Sequence, residues 1–214
     1  MRYPLVCFDL DGTLVADTVF IWTTLHEHFQ TDGQRREVAH RAAHDGTITY
    51  EQWIHHDLEL LRQRGATRDR ILALLRGLRP VPGAIETLAA LRRRGHRLAV
   101  ISGSLGIVID TVLSRSLFDH ILINEIAFDA DGTIIGGAPT PFDLAAKADG
   151  LELVAAKEGL TPQQCAYVGD NDNDLAVLRR AGLGIAFDPK TEAVAQAAHV
   201  VVGPDLRAIL PLLI

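Results

Sequence analysis

Several short apolar runs in this chain each stop at a polar cluster. Leu5 to Leu10 comes first and ends in acidic residues. Leu98-Ala99-Val100-Ile101, Cys165-Ala166-Tyr167-Val168 and Leu183-Gly184-Ile185-Ala186 follow, with Val200-Val201-Val202 as a candidate fifth. Each has the length of a strand buried on both faces, and helical patterns separate the later ones. This alternation predicts an α/β chain with a doubly wound, Rossmann-like parallel sheet, whose ligands bind beyond the carboxyl ends of the strands. The polar motifs lie at those ends.

Strand signals vanish between Thr18 and Arg79. There the segments Phe20 to Phe29, Gln34 to Asp45, Tyr50 to Arg64 and Arg68 to Leu78 carry apolar residues at helical spacing. Thr49 and Thr67 are placed to cap the last two, and Pro80-Val81-Pro82-Gly83 marks the return to the main domain. The expected organisation is a core of residues 1–17 plus 80–214, with an all-helical cap, residues 18–79, inserted after the first polar motif. From Ile126 to Gly136, alternation around Asp131-Gly132 predicts a structural hairpin with a two-residue turn.

At 214 residues, 48% of them hydrophobic, the chain can bury a full core without staples. A net charge of −6 with dispersed arginines argues against nucleic-acid binding, which needs a concentrated basic surface. No stretch reaches the ~18 uninterrupted apolar residues of a membrane span, and no basic leader precedes Val6. The two cysteines, Cys7 and Cys165, sit inside strand-like runs and read as small buried hydrophobes. A cytoplasmic protein acting on small molecules, as monomer or homodimer, is expected.

Asp9-Leu10-Asp11-Gly12 puts two carboxylates at the mouth of the first strand, followed by a glycine that permits a sharp turn. Two acids sharing a site shift each other's pKa, so one can act as an ionised nucleophile while the other carries a proton. Ile101-Ser102-Gly103-Ser104 similarly offers a hydroxyl and a glycine before a helical stretch near Leu105. That pattern suits a phosphate oxygen or a plain helix cap. Lys147, among alanines, would offset negative charge if it reached the site. Gly169-Asp170-Asn171-Asp172-Asn173-Asp174 is dense enough in acids to suggest a hard cation. A calcium loop starting at Asp170 fails, because Leu175 stands where its glycine belongs and Ala181 where its glutamate belongs; Mg²⁺ fits better.

Taken in order, Phe8-Asp9-Leu10-Asp11-Gly12-Thr13, Ser102-Gly103, Lys147 and Gly169-Asp170 through Asn173-Asp174 resemble the four motifs of the haloacid dehalogenase-like superfamily. The likeness is closest to its phosphoserine-phosphatase-like branch, and it covers nearly the whole chain. The resemblance implies a phosphatase in which Asp9 forms an aspartyl-phosphate and Asp11 protonates the leaving alcohol and then activates water. It further implies that Mg²⁺ is held by Asp9, Asp170 and the Asp11 backbone carbonyl with support from Asp174, and that Ser102, Gly103, Lys147 and Asn173 bind the phosphoryl group.

Substrate choice is where the chain departs from that branch. The position matching the branch's amine-binding glutamate is Thr18, beside Asp17, and the position matching its carboxylate-binding arginine is Asp57. An acid in place of that arginine is expected to repel a carboxylate, which disfavours phosphoserine and favours an amino-alcohol, polyol or sugar phosphate. His55-His56 point about a third of a turn apart on a helix and do not read as a metal pair, and Phe20, Trp22 and Trp53 read as core of the cap. Two other uses of the same acids are a phosphotransferase and a phospho-accepting signalling domain.

Overall fold

The computed structural model describes residues 1–214, apart from the side chain of residue 145. The core sheet is built from β1 (Leu5–Phe8), β4 (Arg97–Leu105), β5 (His120–Phe128), β6 (Ile134–Ala138), β7 (Cys165–Gly169), β8 (Leu183–Phe187) and β9 (Val200–Val202). Its order is β6-β5-β4-β1-β7-β8-β9, parallel throughout except for the antiparallel pair β5 and β6. β1 is central, with Leu5 opposite both Arg97 of β4 and Cys165 of β7. The chain builds outward from β1 through β4 in one direction and later through β7 in the other. The reversal opens a crevice at the carboxyl end of β1, where open α/β sheets bind ligands.

Strand residues alternate between two apolar layers. Val6, Phe8, Val100 and Val168 pack with α5 (Ala84–Arg93), α6 (Gly106–Val112) and α10 (Leu210–Leu213). Leu5, Cys7, Ile101 and Tyr167 pack with α7 (Lys147–Lys157), α8 (Leu175–Arg180) and α9 (Glu192–Ala197). Burial on both faces is why these strands are continuous apolar runs. Cys7 and Cys165 are free and buried among them.

Between β2 (Val15–Ala16) and β3 (Arg79–Pro80) lie the helices α1 (Ile21–His28), α2 (Gly33–His44), α3 (Tyr50–Gln63) and α4 (Arg68–Leu75). β2 and β3 pair antiparallel, so the chain leaves and re-enters the core through a two-residue ribbon. Thr49 caps α3 in a capping box with Gln52, and Thr67 caps α4, as their positions predict. Ile21, Leu25, Ile54, Leu58 and Leu61 continue the apolar layer beneath the helices.

The β5–β6 turn is longer than the two residues expected. The Asp129 carboxylate accepts the amides of Asp131 and Thr133, at 3.0 and 2.8 Å, and this side-chain turn sets the loop. Its tip meets the helices where the Arg68 amide donates to the Gly132 carbonyl at 2.8 Å. Among the described residues, no helix is long and apolar enough to cross a membrane.

Candidate active site

Asp9 and Asp11 leave the end of β1 side by side and buried. α1 has no side-chain cap of its own. Its first amide, on Ile21, instead donates to Asp11 Oδ2 at 2.7 Å, so a core carboxylate caps a helix of the insertion. Ser104 Oγ donates to the other oxygen, Oδ1, at 2.8 Å. Burial pushes the Asp11 carboxyl up to about 7, against the lowering effect of the Ile21 amide. Burial raises Asp9 as well, with Lys147 opposing it.

β4 runs on through Leu105, and α6 begins only at Gly106 without a side-chain cap. The reading of Ser102 or Ser104 as a helix cap is therefore corrected. Both are buried strand residues; Ser104 fixes Asp11, and Ser102 Oγ accepts the Ser104 amide at 3.2 Å beside Asp9.

Lys147 opens α7 and is fully buried. Its Nζ lies 3.0 Å from Asp9 Oδ1 and 2.8 Å from Asp174 Oδ1. Burial pulls the ammonium pKa down, but Asp174 and Asp9 more than offset this and hold it above its ordinary value. Asp174 uses both oxygens on neighbours. Oδ1 takes Lys147 and the Tyr167 hydroxyl at 2.8 Å, and Oδ2 takes the Asp170 and Asn171 amides at 3.0 and 3.2 Å. Such an acid shapes the loop and the lysine rather than offering a free oxygen.

Asp170 differs. Thr13 Oγ1 donates to its Oδ1 at 3.0 Å, while its buried Oδ2 has no partner among the described residues. Gly12 sits against that atom at φ +76°, so a side chain there would both strain the backbone and run into Asp170. Ligand oxygens of Asp9, Asp170 and Asp174 lie within 4.8 Å of one another. A buried, unpaired carboxylate oxygen beside a second acid suits an oxygen-seeking divalent cation, and burial raises the Asp170 pKa in the metal-free protein.

Asp9, Asp11, Ser102 and Ser104 floor a cavity of about 870 Å³ that extends upward between α1, α2 and α3. Phe20, Trp22 and Trp53 all line it; Trp22 also packs against the core as expected, whereas Phe20 is exposed, which corrects its reading as core of the cap. Asp17, Thr18 and Asp57 do not line it. Asp17 is exposed at a positive φ of 64°, and the Thr18 hydroxyl pairs with Thr24 at 3.1 Å. Asp57 is 1% exposed, covered by His26 Nε2 at 3.2 Å, Arg36 Nε at 3.4 Å and His56 Nδ1 at 3.4 Å. Its charge is therefore compensated rather than presented to a ligand, and the expectation that it repels a carboxylate is withdrawn. His55 is partly exposed and faces Glu51 at 3.7 Å.

Sequence reasoning missed a polar network that ties the helices to the floor. The Tyr50 hydroxyl donates to Asp143 Oδ2 at 3.0 Å and accepts from Asn124 Nδ2 at 2.9 Å. Asn124 Nδ2 and Trp22 Nε1 both donate to the Gly103 carbonyl, at 2.7 and 2.9 Å. Asn173 Nδ2 reaches Asp143 Oδ1 at 3.3 Å. Asp143 packs so closely on Gly103 that a Cβ at that position would collide with its carboxylate. Tyr50→Phe should lower stability by about 1 kcal/mol in urea denaturation, because it leaves a partly buried carboxylate oxygen without its donor. An unchanged midpoint would show that this network does not hold α3 to the core.

A parallel α/β core, a helical insertion after the first strand and a site of two mouth acids, a buried lysine and a third acid define a class. A family model described as haloacid dehalogenase-like hydrolase matches residues 3–182, and the chain belongs to that family. Within it the protein is a phosphatase of the phosphoserine-phosphatase-like branch. It is 29% identical over 212 residues to a phosphoserine phosphatase of Methanocaldococcus jannaschii, covering 98% of this chain and 97% of that one. It is 34% identical to a phosphoserine phosphatase of Streptomyces coelicolor, but spans only 50% of that longer protein. Among solved structures, a phospho-aspartyl intermediate analogue of phosphoserine phosphatase superposes with a TM-score of 0.75 at 26% identity, covering 99% of both chains.

Proposed function

We propose that the enzyme hydrolyses a small organic phosphate monoester with Mg²⁺ through a phosphoryl group carried on Asp9. The observation that carries this reading is the pairing at the mouth of β1. Asp9 stands beside Lys147, while Asp11 is held by the Ile21 amide and Ser104 on the side where the helices close the cavity. An Asp9 oxygen attacks phosphorus, and the bond to the leaving alcohol breaks as Asp11 gives that alcohol a proton. Asp11 then takes a proton from water as the water attacks phosphorus, which frees phosphate and restores Asp9. Ser102 and Lys147 are placed to hold the phosphoryl oxygens, and the Lys147 charge offsets the negative charge that accumulates. Asp9 and Asp170, with the unpaired Asp170 Oδ2, would hold the metal, with Asp174 supporting the loop from behind. When bound, Mg²⁺ supplies Lewis-acid neutralisation of the phosphoryl charge.

Phosphate release from a panel of phosphoserine, phosphoethanolamine, glycerol phosphate and sugar phosphates, with Mg²⁺ and with EDTA, tests this. Turnover that needs Mg²⁺ and yields equal amounts of phosphate and alcohol is expected. Alcohol appearing in excess of phosphate would indicate transfer to another acceptor. A single stoichiometric phosphorylation without turnover would replace the reading with a phospho-accepting domain.

A further inference from the structure

The cavity-facing side of α2 is unlike the inner face of an ordinary helix. Gly33, Arg36, Glu37, His40 and His44 recur at helical spacing and all line the cavity, while the one buried residue of α2 is Ala39. A helix turned inward normally presents an apolar stripe; this one presents hydrogen-bonding groups to the space above Asp9 and Asp11. Its permanent cation is Arg36. The Nε edge of Arg36 lies against Asp57 at 3.4 Å and Nη2 reaches Thr23 Oγ1 at 3.4 Å, whereas Nη1 donates to no acceptor among the described residues. Asp57 thereby acts as a positioning residue that pins one edge of the guanidinium and leaves the other toward the cavity.

On the facing wall, Trp53 Nε1 is buried with no hydrogen-bond partner. The Trp53 ring packs on His40, with centroids 5.2 Å apart, and His40 packs on His44 at 4.5 Å. Burial and the neighbouring His44 lower the His40 pKa, and the exposed Glu37 pairs with Arg41 at 3.1 Å, which leaves Arg36 as the cation this stripe offers the cavity. Its level above the floor follows from α1. Ile21 sits on Asp11, and Thr23 and His26, which adjoin the Arg36–Asp57 pair, lie about 3 and 7.5 Å farther along the helix at ~1.5 Å per residue. A short leaving alcohol bridges that distance.

The geometry points to Arg36 as a specificity-determining residue. Beside the Trp53 ring, which lines the same cavity, it supplies the cation of a subsite for an acceptor-rich anion, a carboxylate or a second phosphate, carried by the leaving alcohol. This rests on the phosphatase reading and adds the class of ester that the enzyme selects. The guanidinium comes from α2, not from the α3 position that Asp57 occupies, so the residue at that position does not remove anion recognition but orients it.

The test compares phosphoglycerate and propanediol bisphosphate with glycerol phosphate, which has neither second anion, and uses p-nitrophenyl phosphate to report general phosphatase activity. The wild type is expected to favour one of the two esters that carry a second anionic group in kcat/KM, and which one it favours identifies the anion. Arg36→Met should cut that preference by about ten- to a hundredfold, mainly through KM, with Arg36→Lys intermediate because it keeps the charge and loses the fork. Preference for glycerol phosphate, or a ratio unchanged in Arg36→Met, overturns the subsite while leaving the phosphatase reading intact. Binding gives a separate readout, since both tryptophans of the chain line the cavity. Tryptophan emission of the wild type should titrate saturably with phosphoglycerate or the bisphosphate, with at least about tenfold weaker binding in a folded Arg36→Met protein. If no ester is turned over, this titration still decides the subsite, and no difference between the two proteins rejects it.

Discussion

Asp9→Asn should abolish phosphate release, by about a thousandfold or more, while leaving the fold intact. An amide oxygen in that position cannot form the phosphoryl-enzyme bond, and no neighbouring group is placed to substitute. Asp11 is held on both oxygens, by Ile21 and Ser104, and Asp174 is spent on Lys147, Tyr167 and two amides. The stability consequence has the opposite sign from most core substitutions. Asp9, Asp11, Asp170 and Asp174 are all buried around a single buried lysine. Removing one negative charge from the metal-free protein relieves repulsion, while Lys147 keeps Asp174 at 2.8 Å. Thermal unfolding without metal should therefore occur at the same temperature as wild type or higher. Steady-state release above about one hundredth of the wild-type rate would remove Asp9 as nucleophile. A large drop in unfolding temperature would show that Asp9 also holds the fold together.

The core was legible because its strands are buried on both faces, which leaves an unmistakable apolar run ending at each polar cluster. β2 and β3 were not legible, since two residues carry no periodicity and Pro80 argues against a strand until its antiparallel partner is seen. The sequence left Ser102 and Ser104 open between phosphate binding and helix capping, because the strand's last residues are set by pairing with β5, Leu105 lying opposite Asn124, and not by local propensity. The catalytic acids could be read because the chemistry sits in consecutive residues. The ligand-facing wall could not. Asp57 looked like an open charge because Arg36 and His26, which cover it, are 21 and 31 residues away in the chain. α2 read as an ordinary amphipathic helix, yet its inward stripe is polar because it faces a cavity and not a core. Asp143 gave no signal at all; it lies in an irregular stretch and gains meaning only where the fold lays it against Gly103.

Lys147→Met should destabilise the protein by about 3–5 kcal/mol in denaturant unfolding and suppress turnover as well. Methionine fits the volume, so the loss is electrostatic. Asp9 and Asp174, 3.0 and 2.8 Å from Nζ, would be left buried without their counter-charge. The two effects can be separated by adding Asp9→Asn to the same chain. That substitution removes one of the two stranded charges, and beyond whatever change Asp9→Asn makes on its own the double variant should regain about 1 kcal/mol or more of the lost stability, a coupling of the size expected for groups in direct contact. Activity should not return, because the nucleophile is gone. If the two stability changes simply add, Lys147 is not paired with Asp9 in solution, and its role shifts to holding Asp174 and the loop that carries Asp170. If Lys147→Met alone leaves stability untouched, the lysine is not buried between the acids, and the assignment of the phosphoryl-binding cation has to be made to another residue.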